Sequence, residues 1–132
     1  MSAITITVND KSGERFGKLE NALERFVNKA SDRILGDLIV QKNMPKSGRI
    51  YGSHQASAPG ESPATNSGNL YGSISKLVVN SLEHKIGTAV EYAAFLEHGT
   101  SRVAARPLFE PVAAAALPTL EGMLKAELKK AN

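Results

Sequence analysis

The feature that most constrains this fold is a run of apolar residues at helical spacing between Phe16 and Leu38. The apolar residues recur three or four positions apart, and charged residues fill the positions between them. This spacing places the apolar side chains on one face of an α-helix. The run consists of Phe16, Leu19, Leu23, Phe26, Val27, Ala30, Ile34, Leu35 and Leu38. We therefore predict an amphipathic helix from about Ser12 to Gln41, whose apolar face needs a covering surface.

A second apolar stripe, from Leu108 to Leu128, predicts a C-terminal helix. Arg106-Pro107 is expected to open it, because proline is well tolerated in a first helical turn. Pro118 lies inside the stripe. Proline lacks an amide proton and crowds the carbonyl four residues earlier, so we expect a kink or an interruption there.

Three segments have the composition of strands. Residues Ile4 to Val8, "ITITV", alternate apolar residues with threonine, which indicates a strand with one covered face. Two further strands are predicted at about Ser73 to Asn80 and His84 to Val90, joined as an antiparallel hairpin. A helical turn is expected around residues 68–72, and a short helix at 91–99.

These elements predict an α+β fold in a single domain spanning residues 1–132. A small antiparallel sheet of about three strands would be packed by the long N-terminal helix and the C-terminal helix. Residues 43–68 are expected to form a long central extended loop. Within it, Ala56 to Gly68 has no large apolar side chain, two prolines and two glycines. Loops of this length are uncommon in small domains and are usually functional or disordered.

Composition narrows the function classes. The 132 residues include no cysteine, which removes disulfides and thiolate metal sites, and the net charge is only +3. The three histidines show no metal-ligand spacing, and no serine stands in a G-x-S-x-G turn. We expect no enzyme activity, cofactor, metal site or small-molecule substrate. We also expect no signal peptide, since the first ten residues lack a basic region followed by an apolar run, and no membrane-spanning segment.

Two stretches carry a resemblance to a known family. The first is "SGRIYGSHQASAPGESPATNSGNLYGSI", Ser47 to Ile74, and the second is "VEYAAFLEHGTSRVAARPLFEPVAAA", Val90 to Ala115. In this order they strongly resemble the tailed-bacteriophage head–tail joining family, also called neck, minor tail or tail-completion proteins, of lambdoid-type phages and prophages. The chain departs from the family pattern at His98, where an aromatic apolar residue is usual, and at Val103-Ala104, where a proline is common.

The resemblance implies a non-enzymatic structural component of the virion that joins the DNA-filled head to the tail. It implies a ring of several copies around the DNA path, with head-connector and tail-tube or tail-terminator proteins as partners. Non-specific contact with passing DNA is a further expectation. The protein would be located at the head–tail junction of the virion, and in the host cytoplasm during assembly.

The first stretch is expected to lie over an adjacent subunit or ring and to order on assembly. Its predicted subunit or partner contacts are Arg49, Tyr51, Pro59, Gly60, Pro63 and Leu70. An alternative function is a small nucleic-acid-binding module, in which Lys46 and Arg49 of the central loop face phosphates.

The second stretch is expected to form a tight structural turn between two helices, with an inter-subunit contact as the alternative role. The predicted turn residues are Glu97, Gly99, Thr100, Arg106 and Pro107. In this interpretation Gly99 supplies a positive φ, and Glu97 accepts hydrogen bonds from freed amides or from an arginine.

Overall fold

Helices and strands follow one another in nearly the order that the sequence predicts. The computed structural model describes residues 2–9, 17–64 and 69–131. The strands are β1 (Ser2–Thr7), β2 (Ile50–Tyr51), β3 (His54–Gln55), β4 (Ser75–Asn80) and β5 (Glu83–Thr88). The helices are α1 (Gly17–Val40), α2 (Asn69–Ser73), α3 (Tyr92–His98) and α4 (Phe109–Lys130).

The main sheet has three antiparallel strands in the order β1-β5-β4. In its register, Ile86 of the central strand lies opposite Ile4 of β1 and Lys76 of β4. Because residues opposite each other in a sheet point to the same face, this row and the His84 row share one face. That face carries Ile6 and the fully buried Ile86, and it lies toward the helices.

The two long helices form the second layer. α1 packs on β5 and also contacts β1 and β4, while α4 packs against α1 and β1. Ile34 and Leu38 of α1 are fully buried, as the helical spacing predicts. The α+β class, with a small antiparallel sheet packed by an N-terminal and a C-terminal helix, is therefore confirmed.

A buried carboxylate ties the two helices together. Glu127 of α4 is buried, and it accepts hydrogen bonds from the side chains of Lys29 and Arg25 of α1, the latter at 3.0 Å. These two hydrogen bonds lower the pKa of Glu127 to about 2. The carboxylate therefore stays ionised far into the acid range, and the clamp between α1 and α4 persists with it.

The long helix α1 ends close to the predicted end at Gln41. It runs to Val40 and continues as a short 3-10 turn from Gln41 to Asn43. The predicted start near Ser12 lies outside the described residues.

The expected interruption of the C-terminal helix is wrong. α4 begins at Phe109 and continues to Lys130 with Pro118 inside it. The carbonyl of Ala114, four residues earlier, loses its helical donor to this proline. Both residues are exposed, so water can hydrate that carbonyl and the helix continues. The predicted opening at Arg106-Pro107 lies two residues too early.

The central loop contains a hairpin that the sequence analysis did not predict. Strands β2 and β3 pair antiparallel, with Ile50 opposite Gln55 and Tyr51 opposite His54. Gly52 has a φ of +62°, the left-handed conformation that a two-residue hairpin turn requires. The part of the predicted loop at 65–68 lies outside the described residues.

Candidate protein-interaction surface

The β2–β3 hairpin presents bulky side chains to solvent. Ile50 is 66% exposed and Tyr51 is 56% exposed. The guanidinium carbon of Arg49 lies 5.1 Å from the centre of the Tyr51 ring, a cation–π geometry. Tyrosine and arginine are the residue types most often found at the energetic centres of protein interfaces. The hairpin therefore carries the chemistry of a protein-binding surface.

A close chain crossing fixes the base of this hairpin. The Gly48 amide donates to the Ala56 carbonyl, and the Ala56 amide donates to the Arg49 carbonyl, both at 2.9 Å. A Cβ atom at Gly48 would lie 2.6 Å from the carbonyl oxygens of Ala56 and Ser57. Because both obstructing atoms belong to the backbone, only glycine fits this crossing without movement of the chain.

Glu61 holds the segments on either side of the hairpin together. Its carboxylate accepts hydrogen bonds from the Ala58 amide at 2.6 Å, the Ser47 amide at 3.0 Å and the Ser47 hydroxyl at 2.8 Å. The hydrogen bond from the Ala58 backbone, followed by those from Ser47, holds the pKa of Glu61 below its usual value. One carboxylate thus organises residues that are 14 positions apart in sequence.

Lys46 is held within the chain as well. Its Nζ donates to the Gln41 carbonyl at 3.2 Å and to the hydroxyl of Ser62. Burial lowers the pKa of Lys46, and the nearby Glu61 carboxylate partly offsets this effect. The ammonium group is thus already hydrogen-bonded to the chain's own atoms.

Further hydrogen bonds join the central loop to the turn between α3 and α4. The Gly60 amide donates to the Ala105 carbonyl at 2.9 Å, and the Arg106 side chain reaches the Ser57 carbonyl at 3.4 Å. The Tyr71 hydroxyl donates to the Pro63 carbonyl. The described part of the loop is therefore held by contacts within a single chain, which differs from the expectation that this stretch orders on assembly.

Glu97 connects α3 with the start of α4. Its carboxylate accepts hydrogen bonds from the amides of Leu108 and Phe109, both at 2.8 Å, and of Glu110 at 3.0 Å. These amides belong to the first turn of a helix, where intrahelical acceptors are missing. The Glu97 side chain thus caps α4, which explains why that helix begins at Phe109.

The turn itself is closed by Gly99 and Thr100. Gly99 has a φ of +76°, and a Cβ there would lie 2.9 Å from the Ala105 amide nitrogen. The Thr100 amide donates to the Val103 carbonyl at 2.8 Å, and its hydroxyl accepts from the amides of Arg102 and Val103.

The remaining turn residues, Arg106 and Pro107, lead into α4. The Arg106 amide donates to the Leu96 carbonyl at the end of α3. Pro107 is partly buried immediately before the capped turn. The five predicted turn residues therefore lie together, between the two helices.

The predicted contact residues separate into two groups. Arg49 and Tyr51 lie side by side on the exposed hairpin, and Pro59 and Gly60 are exposed at the turn nearby in sequence. Pro63 and Leu70 are buried against the chain's own residues. The exposed part of the predicted contact set therefore consists of Arg49, Tyr51, Pro59 and Gly60.

Sequence reasoning missed a second exposed apolar patch on strand β4. Leu77, Val78 and Val79 are 55%, 56% and 46% exposed. The strand was predicted, but its position at an edge of the sheet depends on strand order, which no local pattern reveals. A register irregularity between Val78 and Asn80 also interrupts its pairing with β5.

Across residues 2–9, 17–64 and 69–131, no three histidine, aspartate or glutamate side chains are grouped so that they could hold a metal ion. None of the helices within those same ranges is long and apolar enough to cross a membrane. Comparison of the chain with protein-family models, curated proteins and solved structures finds no match.

Proposed function

We propose that this protein is a structural component of a tailed-phage virion that joins the DNA-filled head to the tail. It acts without catalysis, by self-association into a ring and by docking to head-connector and tail proteins. The observation that carries the docking part is the exposed β2–β3 hairpin, which presents Arg49, Tyr51 and Ile50 from a tightly fixed base. The family is proposed from the resemblance of the two stretches quoted above.

The fixed base matters energetically. Ordering a flexible residue on binding costs about 1–2 kcal/mol for its backbone alone. The hydrogen bonds made by Gly48, Ala56 and Glu61 already order the hairpin within its own chain. A partner that binds the hairpin therefore avoids most of this cost, which supports docking through a pre-formed surface.

The alternative, a nucleic-acid-binding module, is less well supported. It relies on Lys46 and Arg49 of the central loop, but the Lys46 ammonium is hydrogen-bonded to Gln41 and Ser62. Only Arg49 of this pair remains exposed, and it already stacks on Tyr51. Tight retention on DNA with a steep salt dependence would favour this alternative over head–tail joining.

Complementation tests the docking surface. A phage or prophage deleted for this gene is supplied in trans with wild-type protein, with the hairpin double variant Ile50→Ser/Tyr51→Ser, or with the control Met44→Ser. Met44 is also exposed and apolar but lies outside the hairpin. We expect wild type and M44S to restore the titre, and the double variant to fail although it is produced and folded. Full restoration by the double variant would contradict docking through this hairpin.

A further inference from the structure

The helix layer is wider than the sheet that it covers. Two packed helices lie 8–10 Å apart, whereas neighbouring strands are 4.7–4.9 Å apart, so two helices cover about four strands. This sheet has three strands within the described residues. α1 packs on the central strand β5, and α4 packs against α1 and the edge strand β1. The sheet is therefore one strand short on the β1 side, beneath α4.

A groove occupies this position. It has a volume of about 470 Å³ and is lined by Ile4 to Val8 of the β1 segment, by Phe26 and Ile34 of α1, and by one face of α4. The α4 residues are Ala113, Leu117, Leu120, Glu121 and Leu124. Successive side chains of a strand point to opposite faces. A groove lined by five successive residues must therefore follow the free edge of the strand. We refer to it as the edge groove.

The groove continues toward α3. A second cavity of about 400 Å³ shares Ile4 and Ala113 with the edge groove; its further lining includes Ala3 of β1 and Ala94, Glu97 and His98 of α3, a helix that contacts β1. Together the two cavities follow the segment from Ala3 to Val8. This length suits an extended segment of about six residues, since a strand rises 3.2–3.4 Å per residue.

The opposite edge of the same sheet supplies a matching segment. β4 has six residues, as β1 has, and it exposes Leu77, Val78 and Val79. In the described part of the chain no strand pairs with its outer edge. Exposed apolar edge strands are templates for pairing with another chain.

Charge does not oppose seating of β4 in the edge groove. The ionisable lining residues are Glu121 in the edge groove and Glu97, His98 and Glu110 in the second cavity, so the lining is mainly acidic. β4 contains one lysine, Lys76, and no acidic residue. The acidic lining therefore meets no carboxylate from β4 itself, and Asp32 of α1, next to β4, is paired with Lys76 at 2.7 Å.

We propose that β4 of one copy fills the edge groove of the next copy as its fourth strand. β1 and β4 each run antiparallel to β5 and are therefore parallel to each other. If successive copies are related by rotation about an axis along the strands, β4 of one copy pairs in parallel with β1 of the next. The first copy in such a row then has a free β1 edge, and the last copy has a free β4 edge. Such a head-to-tail contact closes into a ring when the rotation allows it.

This inference rests on the proposed self-association and adds the surface that produces it. It also assigns the helix-facing Val78, which lies opposite His84, to a site between α1 of its own chain and α4 of the neighbour. The hairpin β2–β3 takes no part in this contact and stays available for other partners.

Two single variants test the head-to-tail contact. Leu117→Glu places a charge in the edge groove and leaves β4 intact, whereas Val78→Glu places a charge on β4 and leaves the groove intact. Both positions are more than half exposed, so the isolated fold should tolerate them. Val103→Glu, at an exposed apolar position outside both surfaces, is the matched control.

The assay is sedimentation velocity of the full chain over a range of concentrations up to the solubility limit. We expect wild type and V103E to form closed oligomers, and L117E and V78E each to remain monomeric. An equimolar mixture of L117E and V78E should form heterodimers, because the intact β4 of the first fits the intact groove of the second. Circular dichroism checks that each variant is folded, and the pair Leu117→Lys and Val78→Lys replaces any that is not.

Three outcomes would overturn the inference. These are a wild type that stays monomeric, a folded L117E or V78E variant that still forms oligomers, and an equimolar mixture of the two folded variants that stays monomeric. Rings that still form with either substitution refute this interface but say nothing against head–tail joining. Normal virions from a strain lacking the gene refute the function itself, so the two failures are distinguishable.

Discussion

The cap that Glu97 places on α4 gives the most quantitative prediction. Replacing Glu97 with alanine removes the acceptor of three amides, those of Leu108, Phe109 and Glu110. Leu108 and Phe109 are buried residues, so their amides are poorly placed to recover a bond from water. Each lost hydrogen bond costs about 1 kcal/mol net. The lost charge at the helix N-terminus costs about 0.5 kcal/mol more.

The amide of the exposed Glu110 can bond to water instead, so two lost hydrogen bonds and the lost charge count. Together they lower the free energy of unfolding by about 2.5 kcal/mol. For a domain of this size this loss lowers the melting temperature by roughly 8–15 °C. Urea denaturation and thermal melting followed by circular dichroism measure both quantities. The control is Glu110→Ala, which removes another carboxylate from the first turn of α4 and should cost at most about 0.5 kcal/mol. If E97A is no less stable than E110A, the capping argument is refuted.

Two further predictions concern the central loop and the sheet. Gly48→Ala should destabilise the hairpin base by about 1–3 kcal/mol, because its Cβ would lie 2.6 Å from the Ala56 carbonyl oxygen. The rate of hydrogen exchange at the Ala56 amide should rise, while the exchange rates in α1 stay unchanged. His84 is buried, and burial, assisted by the charge of Lys76, lowers its pKa. Stability should therefore fall as pH drops below about 6.5, where the unfolded chain takes up a proton that the folded chain resists. Urea unfolding at pH 7.5 and pH 5.5 should show this loss in wild type and a smaller one in His84→Gln, and an equal loss in both would contradict the assignment.

Local patterns were sufficient for much of the architecture. The three- and four-residue spacing around Ile34 predicted α1, and the short connection from Ser81 to Glu83 predicted the β4–β5 hairpin, because both depend on neighbours in sequence. The β2–β3 hairpin escaped prediction because two-residue strands are too short to show alternation. The helix was not expected to continue through Pro118 because propensity carries no information about whether the freed carbonyl faces water.

The candidate sites depended more on tertiary structure. Glu97 was recognisable as an acceptor, but the three amides that it binds are 11 to 13 residues away and become neighbours only when α3 and α4 fold together. Leu70 seemed suitable for a partner contact and is instead buried in the core. The exposure of Val78 follows from strand order, which is set by the packing of the whole sheet.

Electron microscopy of particles from a phage or prophage that lacks this gene tests head–tail joining most directly. We expect DNA-filled heads lying beside separate and otherwise complete tails, with joined particles restored when the wild-type protein is supplied in trans. Joined, infectious particles in the absence of the gene would contradict it.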